Sequence, residues 1–281
     1  MSDTLDFPAN NGKVKDTYYA AYYEFVINWA MQDGIDVNIL HQHDDTVWCG
    51  TRELNAFSCR LNGQPFMMDF SDFRRLQVSE PKYTYFKWHY WPVDHCNVPN
   101  IYPLTPLLQF NVDKYFKCRD EIMYDARGEI ILNAQRPRLK ATERRNKAQK
   151  ILHDAFPGFV DTQFLAGQLN FWPRHKNILV AVAIPGARED ILDRGQVEEM
   201  GLGVCVISPY LSECLHYNHL VPWIHYVPIK YDFSDLVAKV KWCKSHRDEC
   251  AQIGRNAQKL FDETCLPRMY WRFIKQCLAR R

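Results

Sequence analysis

From about residue 115 onward, short apolar runs alternate with longer, charged amphipathic segments. The apolar runs have the length of buried strands, and the segments between them have a helical period. This alternation is typical of a mostly parallel sheet packed against helices, and therefore of an α/β fold. The predicted strands are 129–133, 177–183, 204–208 and 224–227, and the predicted helices are 142–156, 191–200, 236–244, 247–265 and 269–279.

The first part of the chain has a less regular pattern. A helix is predicted over residues 17–32, where Val26 and Trp29 belong to one apolar face. Extended runs are predicted at 46–49 and 64–70, and residues 81–106 indicate an ordered loop layer rich in aromatic side chains.

These two patterns together predict two lobes. We expect an N-terminal lobe over residues 1–118 and a C-terminal lobe over residues 119–265. The last helix, in residues 266–281, is expected to return to the first lobe.

Composition excludes some classes of protein. A chain of 281 residues with 47% hydrophobic content is long enough for two cores. The net charge of +2 creates no global field that would favour nucleic acid. The N-terminus lacks a signal-peptide pattern, and the longest apolar run, 178–185, is shorter than the roughly 20 residues of a membrane span. We therefore expect a cytoplasmic protein without a membrane span.

The sequence predicts no metal site. Its ten cysteines include no Cys-x-x-Cys pair, so free buried thiols are expected rather than a zinc site. Two groups of histidine and aspartate are interpreted as ordinary loop residues. They are His41, His43, Asp44 and Asp45, and His89, Asp94 and His95.

Two carboxylates follow an apolar run in the first lobe. Asp69 and Asp72 come after residues 65–68 and before Arg74 and Arg75. Strand carboxyl ends line the ligand crevice of open α/β layers, and a carboxylate there can deprotonate an attacking hydroxyl. The alternative is structural, with one aspartate capping a turn and the other paired with an arginine. Spacing alone favours the structural alternative.

A basic segment follows the first strand of the second lobe. Seven Lys or Arg residues fall within 136–150, beginning with Arg136 and Arg138 and including Arg144. Thr142 is a candidate helix cap, and arginines beside a helix N-terminus suit a diphosphate. The alternatives are a solvated helix face and a nucleic-acid-binding surface.

Further candidate donor-binding residues follow two later strands. Gly186 permits a tight turn after the strand 177–183, and Arg188 and Arg194 come next. Ser208 and Tyr210 end the strand 204–208, where they could meet a nucleoside. The Gly-x-Gly at Gly201 has no third glycine and no following lysine, which argues against dinucleotide-binding and P-loop enzymes.

The run Pro-Trp-Ile-His-Tyr-Val-Pro-Ile at 222–229 resembles the characteristic segment of glycosyltransferase family 90, the protein O-glucosyltransferase and capsule-associated xylosyltransferase family. The resemblance is strongest over 201–236 and fragmentary back to Asp69. It implies a GT-B-like arrangement, two Rossmann-like lobes facing across a cleft. Residues 1–118 would then be the acceptor-side lobe and residues 119–265 the nucleotide-sugar-binding lobe. It also implies inverting transfer from a UDP-sugar, with no cofactor and no obligatory metal.

The resemblance also implies roles for individual residues. Asp72 matches the catalytic base. Arg136 or Arg138, together with Arg194, matches the diphosphate contacts. Trp88 and Trp91 match aromatic residues that follow the base, and with His89 and Asp69 they are the candidate acceptor-binding residues. The family's Phe-Arg-Gly element is replaced at 132–136, which leaves the choice among the arginines open.

The sequence therefore predicts an enzyme that moves xylose from UDP-xylose to a sugar hydroxyl of an oligosaccharide or glycoprotein. A virus-encoded xylosyltransferase is the specific expectation. One alternative is a UDP-glucose-dependent protein O-glucosyltransferase. An alternative of another class is a non-catalytic nucleic-acid-binding module that uses residues 136–150.

Overall fold

The structure is a computed structural model, in which the chain forms two compact units. The first comprises Met1–Gln109, Cys214–Asn218 and Glu263–Arg281, and the second comprises Phe110–Glu213 and His219–Asp262. Each unit contains a sheet and helices, which confirms the α/β class. The described residues are 2–9, 17–42, 44, 46–49, 56–71, 75–76, 82–105, 112–135, 141–164, 168–186, 192, 194–212 and 214–280.

The first unit is built on a mixed sheet with the strand order β2-β1-β4-β5-β6-β7, in which β3 also pairs with β4. Its elements are β1 (Thr4–Pro8), α1 (Thr17–Gln32), β2 (Asp36–Leu40), β3 (Trp48–Cys49), β4 (Ala56–Leu61), β5 (Gln64–Asp69), β6 (Thr84–Lys87), α2 (Pro92–His95), β7 (Ile101–Pro103), β12 (Cys214–Leu215), β13 (Asn218–His219) and α9 (Pro267–Leu278). Strand β13 extends one residue beyond this unit and pairs with β12 in a short ribbon.

Strands β4 and β5 form an antiparallel hairpin around a two-residue turn. Asn62 and Gly63 have φ angles of 52° and 80°. A hairpin turn with two positive φ angles suits the right-handed twist of its strands, and Asn-Gly adopts it at low cost. Strand β4 is antiparallel to β1, β3 and β5, which makes the first sheet mixed.

The prediction of a loop layer over 81–106 is wrong. The segment contains β6, α2 and β7, and β6 pairs in parallel with both β5 and β7. All four residues of β6 are buried. A strand buried on both faces shows no alternation of apolar and polar residues, so its period could not be recognised in the sequence.

Helix α9 packs within the first unit. The ring of Tyr270 meets Trp29 of α1 edge to face at 5.5 Å. Lys275 Nζ lies 2.7 Å from Asp3 and 3.3 Å from Asp33. The hydrogen bond from Lys275 lowers the pKa of the Asp3 carboxyl.

The second unit contains a sheet with the strand order β14-β11-β10-β8-β9. Its elements are α3 (Val112–Ile122), β8 (Ile130–Leu132), α4 (Thr142–Ala155), β9 (Val160–Asp161), α5 (Gln168–Phe171), a 3₁₀ helix (Trp172–Asn177), β10 (Ile178–Val182), α6 (Arg194–Gly201), β11 (Val206–Pro209), β14 (Val227–Ile229), α7 (Leu236–Ser245) and α8 (Arg247–Thr264), whose last turn enters the first unit. All of its strand pairs are parallel, as the alternation predicted.

Apolar side chains from these strands and helices form one core. Val180 and Ile207 of the sheet share it with Leu152, Val240 and Ile253, which come from α4, α7 and α8.

No helix in the described ranges is both long and apolar enough to cross a membrane.

The predicted cap of α4 is wrong. Thr142 is the first residue of α4, and its N-cap, Ala141, has no capping side chain. Asp235 occupies the N-cap of α7 but makes no side-chain capping bond. Its carboxylate accepts from the Lys230 backbone at 2.9 Å, so it stabilises the loop before the helix.

Helix α8 approaches the backbone before β11 at a glycine. A Cβ atom built at Gly254 would lie 1.9 Å from the carbonyl oxygen of Gly203 and 3.3 Å from the backbone nitrogen of Cys205. Only glycine permits this contact, which sets the distance between α8 and the sheet.

We therefore expect Gly254→Ala to destabilise the protein. The added methyl group forces α8 away from Gly203, at a cost on the order of 1–3 kcal/mol, which exceeds the gain of about 1 kcal/mol in helix propensity. Chemical denaturation followed by circular dichroism measures the change. Gln252→Ala, on the exposed side of α8, is the matched control. Equal stability of the two variants would contradict the close contact.

Candidate functional site

The second sheet has a topological switch point at β8. The chain leaves β8 for β9 on one side and then crosses to β10 on the other. Because all these strands are parallel, their carboxyl ends lie at one edge. In open α/β sheets, a crevice for ligands forms outside the carboxyl ends where strand order reverses. The candidate site therefore lies beyond the ends of β8 and β10.

Asn133 follows β8 at this point. Its side-chain amide donates to the Val182 carbonyl at 2.6 Å, which joins the ends of β8 and β10. The residue is buried, and its Oδ1 atom has no hydrogen-bond partner among the described residues. An unmet buried acceptor is rare in folded proteins, so Asn133 is a candidate ligand contact. Sequence reasoning missed it, although a polar residue directly after a buried strand was a usable signal.

Two arginines of α4 hold the loop after β10. Arg145 donates through Nε and Nη2 to the Ile184 carbonyl, at 3.1 and 3.0 Å. Arg144 Nη2 lies 3.0 Å from the Gly186 carbonyl and 3.3 Å from that of Pro185. These arginines position the backbone at the switch point. They belong to the basic segment that the sequence predicted to contact a diphosphate.

Arg194 begins α6, and 45% of its side chain is exposed. Its Nε atom is 3.4 Å from Glu198 one turn later. Glu198 is buried and also accepts from the indole nitrogen of Trp172 at 2.9 Å. The pair orients a partly exposed guanidinium at the start of the helix.

Ser208 and Tyr210 end in different environments. The Ser208 hydroxyl is buried and accepts a 2.7 Å hydrogen bond from Gln196, so the side chain has an internal partner. Tyr210 is 51% exposed, and its carbonyl accepts from the Tyr231 hydroxyl at 2.6 Å. Of the two predicted nucleoside contacts, the exposed ring of Tyr210 is better suited to a ligand.

The segment before β14 forms a tight turn. Trp223 has a φ of 66°, and its backbone nitrogen donates to the Tyr226 carbonyl at 2.7 Å. Lys239 lies over the Trp223 ring at 4.4 Å. The buried Tyr226 hydroxyl accepts from the Leu211 backbone at 3.1 Å, and burial raises its pKa to about 12. The turn therefore fixes the loop that follows β11.

The first unit carries a buried polar network at the ends of β5 and β6. The carboxylate of Asp69 and the ammonium of Lys87 are 3.3 Å apart and fully buried. Asp69 also accepts from the Tyr85 hydroxyl and, at 2.8 Å, from the Ser71 backbone. Lys87 donates to the Ser71 carbonyl at 2.8 Å. These bonds hold the backbone immediately before Asp72.

The predicted acceptor-binding residues are buried. Asp69 has the structural role just described, and Trp88 and Trp91 are 5% and 2% exposed. Trp88 packs edge to face on Phe70 at 5.5 Å, and buried His89 lies beside both indoles. Burial indicates that these side chains pack inside the unit, and their acceptor role stays a prediction.

Four predicted site residues lie outside the described residues. They are Asp72, Arg136, Arg138 and Arg188. Their roles stay predictions; of their immediate neighbours, the structure describes Ser71 and Gln135.

Comparison with known proteins bears on the segment around β11 and β14. Residues 204–267 match the family described as Glycosyl transferase family 90. The chain carries the characteristic segment of glycosyltransferase family 90. This family 90 segment begins just before β11 and extends through β14, α7 and α8 to the first residue of α9.

Curated relatives match over short stretches. Protein O-glucosyltransferase 3 of Homo sapiens is 37% identical over 73 residues, which cover 26% of this chain and 14% of the relative. Uncharacterized protein 179R of Invertebrate iridescent virus 6 is 37% identical over 71 residues, covering 22% of this chain and 6% of the relative. The chain thus spans a small fraction of the length of the curated relatives it matches.

A solved structure resembles the chain over nearly its whole length. A glycosyltransferase from Rickettsia africae ESF-5 aligns over 98% of this chain and 97% of that chain, with a TM-score of 0.46 and 10% identity.

The Asp69–Lys87 pair can be tested by substitution. We expect Lys87→Met to lower the free energy of unfolding by about 3–5 kcal/mol, because it leaves a buried carboxylate without its cation. The double variant Asp69→Asn, Lys87→Met should lose less free energy of unfolding than the sum of the losses of the two single variants. Urea denaturation measures the free energy of unfolding of the unaltered protein, the two single variants and the double variant. Lys82→Met, at an exposed residue, is the control. Additive losses would show that the two charges are not coupled.

Proposed function

We propose that the chain is an inverting glycosyltransferase that uses a UDP-sugar. The match of residues 204–267 to glycosyltransferase family 90 carries the proposal. The position of that segment in the fold supports the proposal. The segment contains β11 and β14, two strands of the parallel sheet, and the candidate site lies at the edge where the carboxyl ends of these strands are found.

The donor is assigned to the second unit. Arg194 and the predicted arginines Arg136, Arg138 and Arg188 stabilise the charge that grows on the leaving diphosphate. Arg144 contributes by holding the Gly186 loop. The exposed Tyr210 ring contacts the nucleoside. No metal takes part in this scheme.

The general base is assigned to Asp72 in the first unit. Its carboxylate takes the proton of an acceptor hydroxyl, whose oxygen attacks the anomeric carbon from the face opposite UDP. The bond to UDP breaks as the new glycosidic bond forms, so the anomeric configuration inverts. The buried Asp69–Lys87 network fixes the Ser71 backbone from which Asp72 extends.

The proposed donor is UDP-xylose, and the proposed acceptor is a sugar hydroxyl of an oligosaccharide or glycoprotein. Similarity to a relative named protein O-glucosyltransferase supports UDP-glucose and a protein acceptor as the second candidate. Similarity to iridescent virus proteins supports a viral source. A hydrolysis screen across UDP-sugars, which needs no acceptor, separates the donors: release of UDP from the xylose or the glucose donor selects one candidate.

The structure gives less support to the nucleic-acid-binding alternative than the sequence does. Arg144 and Arg145, two of the cations in the basic segment, donate to backbone carbonyls of the loop after β10. Their hydrogen-bonding capacity is thus partly used inside the protein rather than directed at a phosphate backbone.

We expect UDP to raise the unfolding temperature in the absence of metal. Arg194→Ala should weaken UDP binding about 10- to 100-fold, because it removes a charge-assisted hydrogen bond to the diphosphate. Isothermal titration calorimetry measures the affinity. Arg127→Ala is the charge-matched control, since Arg127 precedes β8 at the amino edge of the same sheet. Stabilisation by oligonucleotides but not by UDP would instead favour the nucleic-acid module.

Loss of the base should separate chemistry from binding. Asp72→Asn removes the proton acceptor but keeps the shape of the side chain, so we expect transfer to slow by about 10²- to 10⁴-fold. UDP affinity should stay nearly unchanged. Single-turnover transfer assays measure the rate, and Asp36→Asn, exposed on β2, is the control. Normal turnover by Asp72→Asn would overturn the assignment.

A further inference from the structure

Three cysteines from three different segments of the chain meet in the core of the second unit. The Sγ atoms of Cys205, Cys243 and Cys250 all lie within 4.8 Å of one another. All three side chains are fully buried, and the thiols are free. We call Cys205, Cys243 and Cys250 the cysteine trio.

The trio depends on the close approach of α8 to the sheet. Cys250 lies in the first turn of α8, four residues before Gly254 and therefore on the same helix face. The contact of Gly254 with the Gly203 carbonyl brings this face to the chain just before β11, where Cys205 lies. Cys243 comes from the end of α7, and its carbonyl is 3.8 Å from the Cys250 sulfur.

The spacing of the sulfurs fits a common metal ion. A tetrahedral zinc site with Zn–S bonds of about 2.3 Å places its sulfurs about 3.8 Å apart. The trio lies within 4.8 Å, so a contraction of at most about 1 Å would close it around an ion. Soft thiolate ligands select zinc or Cu(I) over hard cations such as Mg²⁺ or Ca²⁺.

The surroundings of the trio suit a structural site. Val180, Val240 and Ile253 belong to the same apolar cluster. The nearby Tyr124 hydroxyl donates to the Leu179 carbonyl, and burial raises its pKa, so the phenol stays neutral.

We propose that the cysteine trio binds one Zn²⁺ or Cu⁺ ion as a structural metal site. The ion joins the α7–α8 corner to the amino end of β11. Each ligand that ionises releases its proton to solvent, and no redox change is needed. The site is independent of the proposed transferase activity, because Cys205 lies at the opposite end of β11 from Tyr210.

The test uses the full chain, reduced and freed of metal under anaerobic conditions. Zn²⁺ and Cu⁺ are titrated separately against a competing chelator, and native mass spectrometry counts the bound ions. We expect one equivalent of at least one of the two metals. Cys205→Ala and Cys243→Ala should each weaken binding on the order of 100-fold. Cys59→Ala and Cys118→Ala, which remove thiols outside the trio, should leave affinity unchanged.

A second measurement uses the unaltered chain, so the test does not depend on a core variant that folds. Alkylation followed by peptide mapping should show that metal protects Cys205, Cys243 and Cys250 more than the other thiols. The unfolding temperature should also rise with metal concentration. Failure of both metals to bind, or binding that Cys205→Ala and Cys243→Ala leave intact, would overturn the proposal.

Discussion

The parallel pairing on both sides of β8 is the constraint on which the candidate site depends. Parallel strands need crossovers, and the chain runs from the carboxyl ends of β8 and β10 to the helices α4 and α6. Because β9 and β10 pair with opposite edges of β8, the strand order reverses there, which is where a ligand crevice is expected. Asn133 bridges the two strand ends, and Arg145 fixes the second loop at Ile184. The site is thus a consequence of topology, and side chains refine it.

The sequence predicted the second unit better than the first. Its strands are short apolar runs separated by helices of clear period, and β10 and β11 lie within a few residues of their expected positions. In the first unit, the Asn62-Gly63 pair was a usable hairpin signal that was not recognised. Strands β6 and β7 gave no comparable signal, because their stability comes from pairing with neighbours rather than from a local pattern.

Contacts between residues distant in sequence explain what else could not be predicted. The structural alternative paired one of the two aspartates with a nearby arginine, and it could not anticipate that the register of β5 and β6 brings Asp69 to Lys87. Cys-x-x-Cys spacing is a local signal of a cysteine metal site, whereas Cys205 precedes β11, Cys243 lies in α7, and the two meet only in the folded core. A sequence pattern identifies residues that are neighbours along one helix or one strand. The Asp69–Lys87 and Cys205–Cys243 pairs each join two different segments of the chain.

The two ends of β11 have separate physical roles. The strand starts after Cys205, in an apolar core where a charge needs a partner, and ends before Tyr210, which is exposed. Tyr210 is five residue steps from Cys205, about 16 Å in extended chain, so an ion held by the trio cannot contact a ligand near Tyr210. Metal at the amino end would act on donor binding only through the stability of the unit. A change in UDP affinity that follows metal loss without any change in unfolding temperature would therefore be incompatible with this separation.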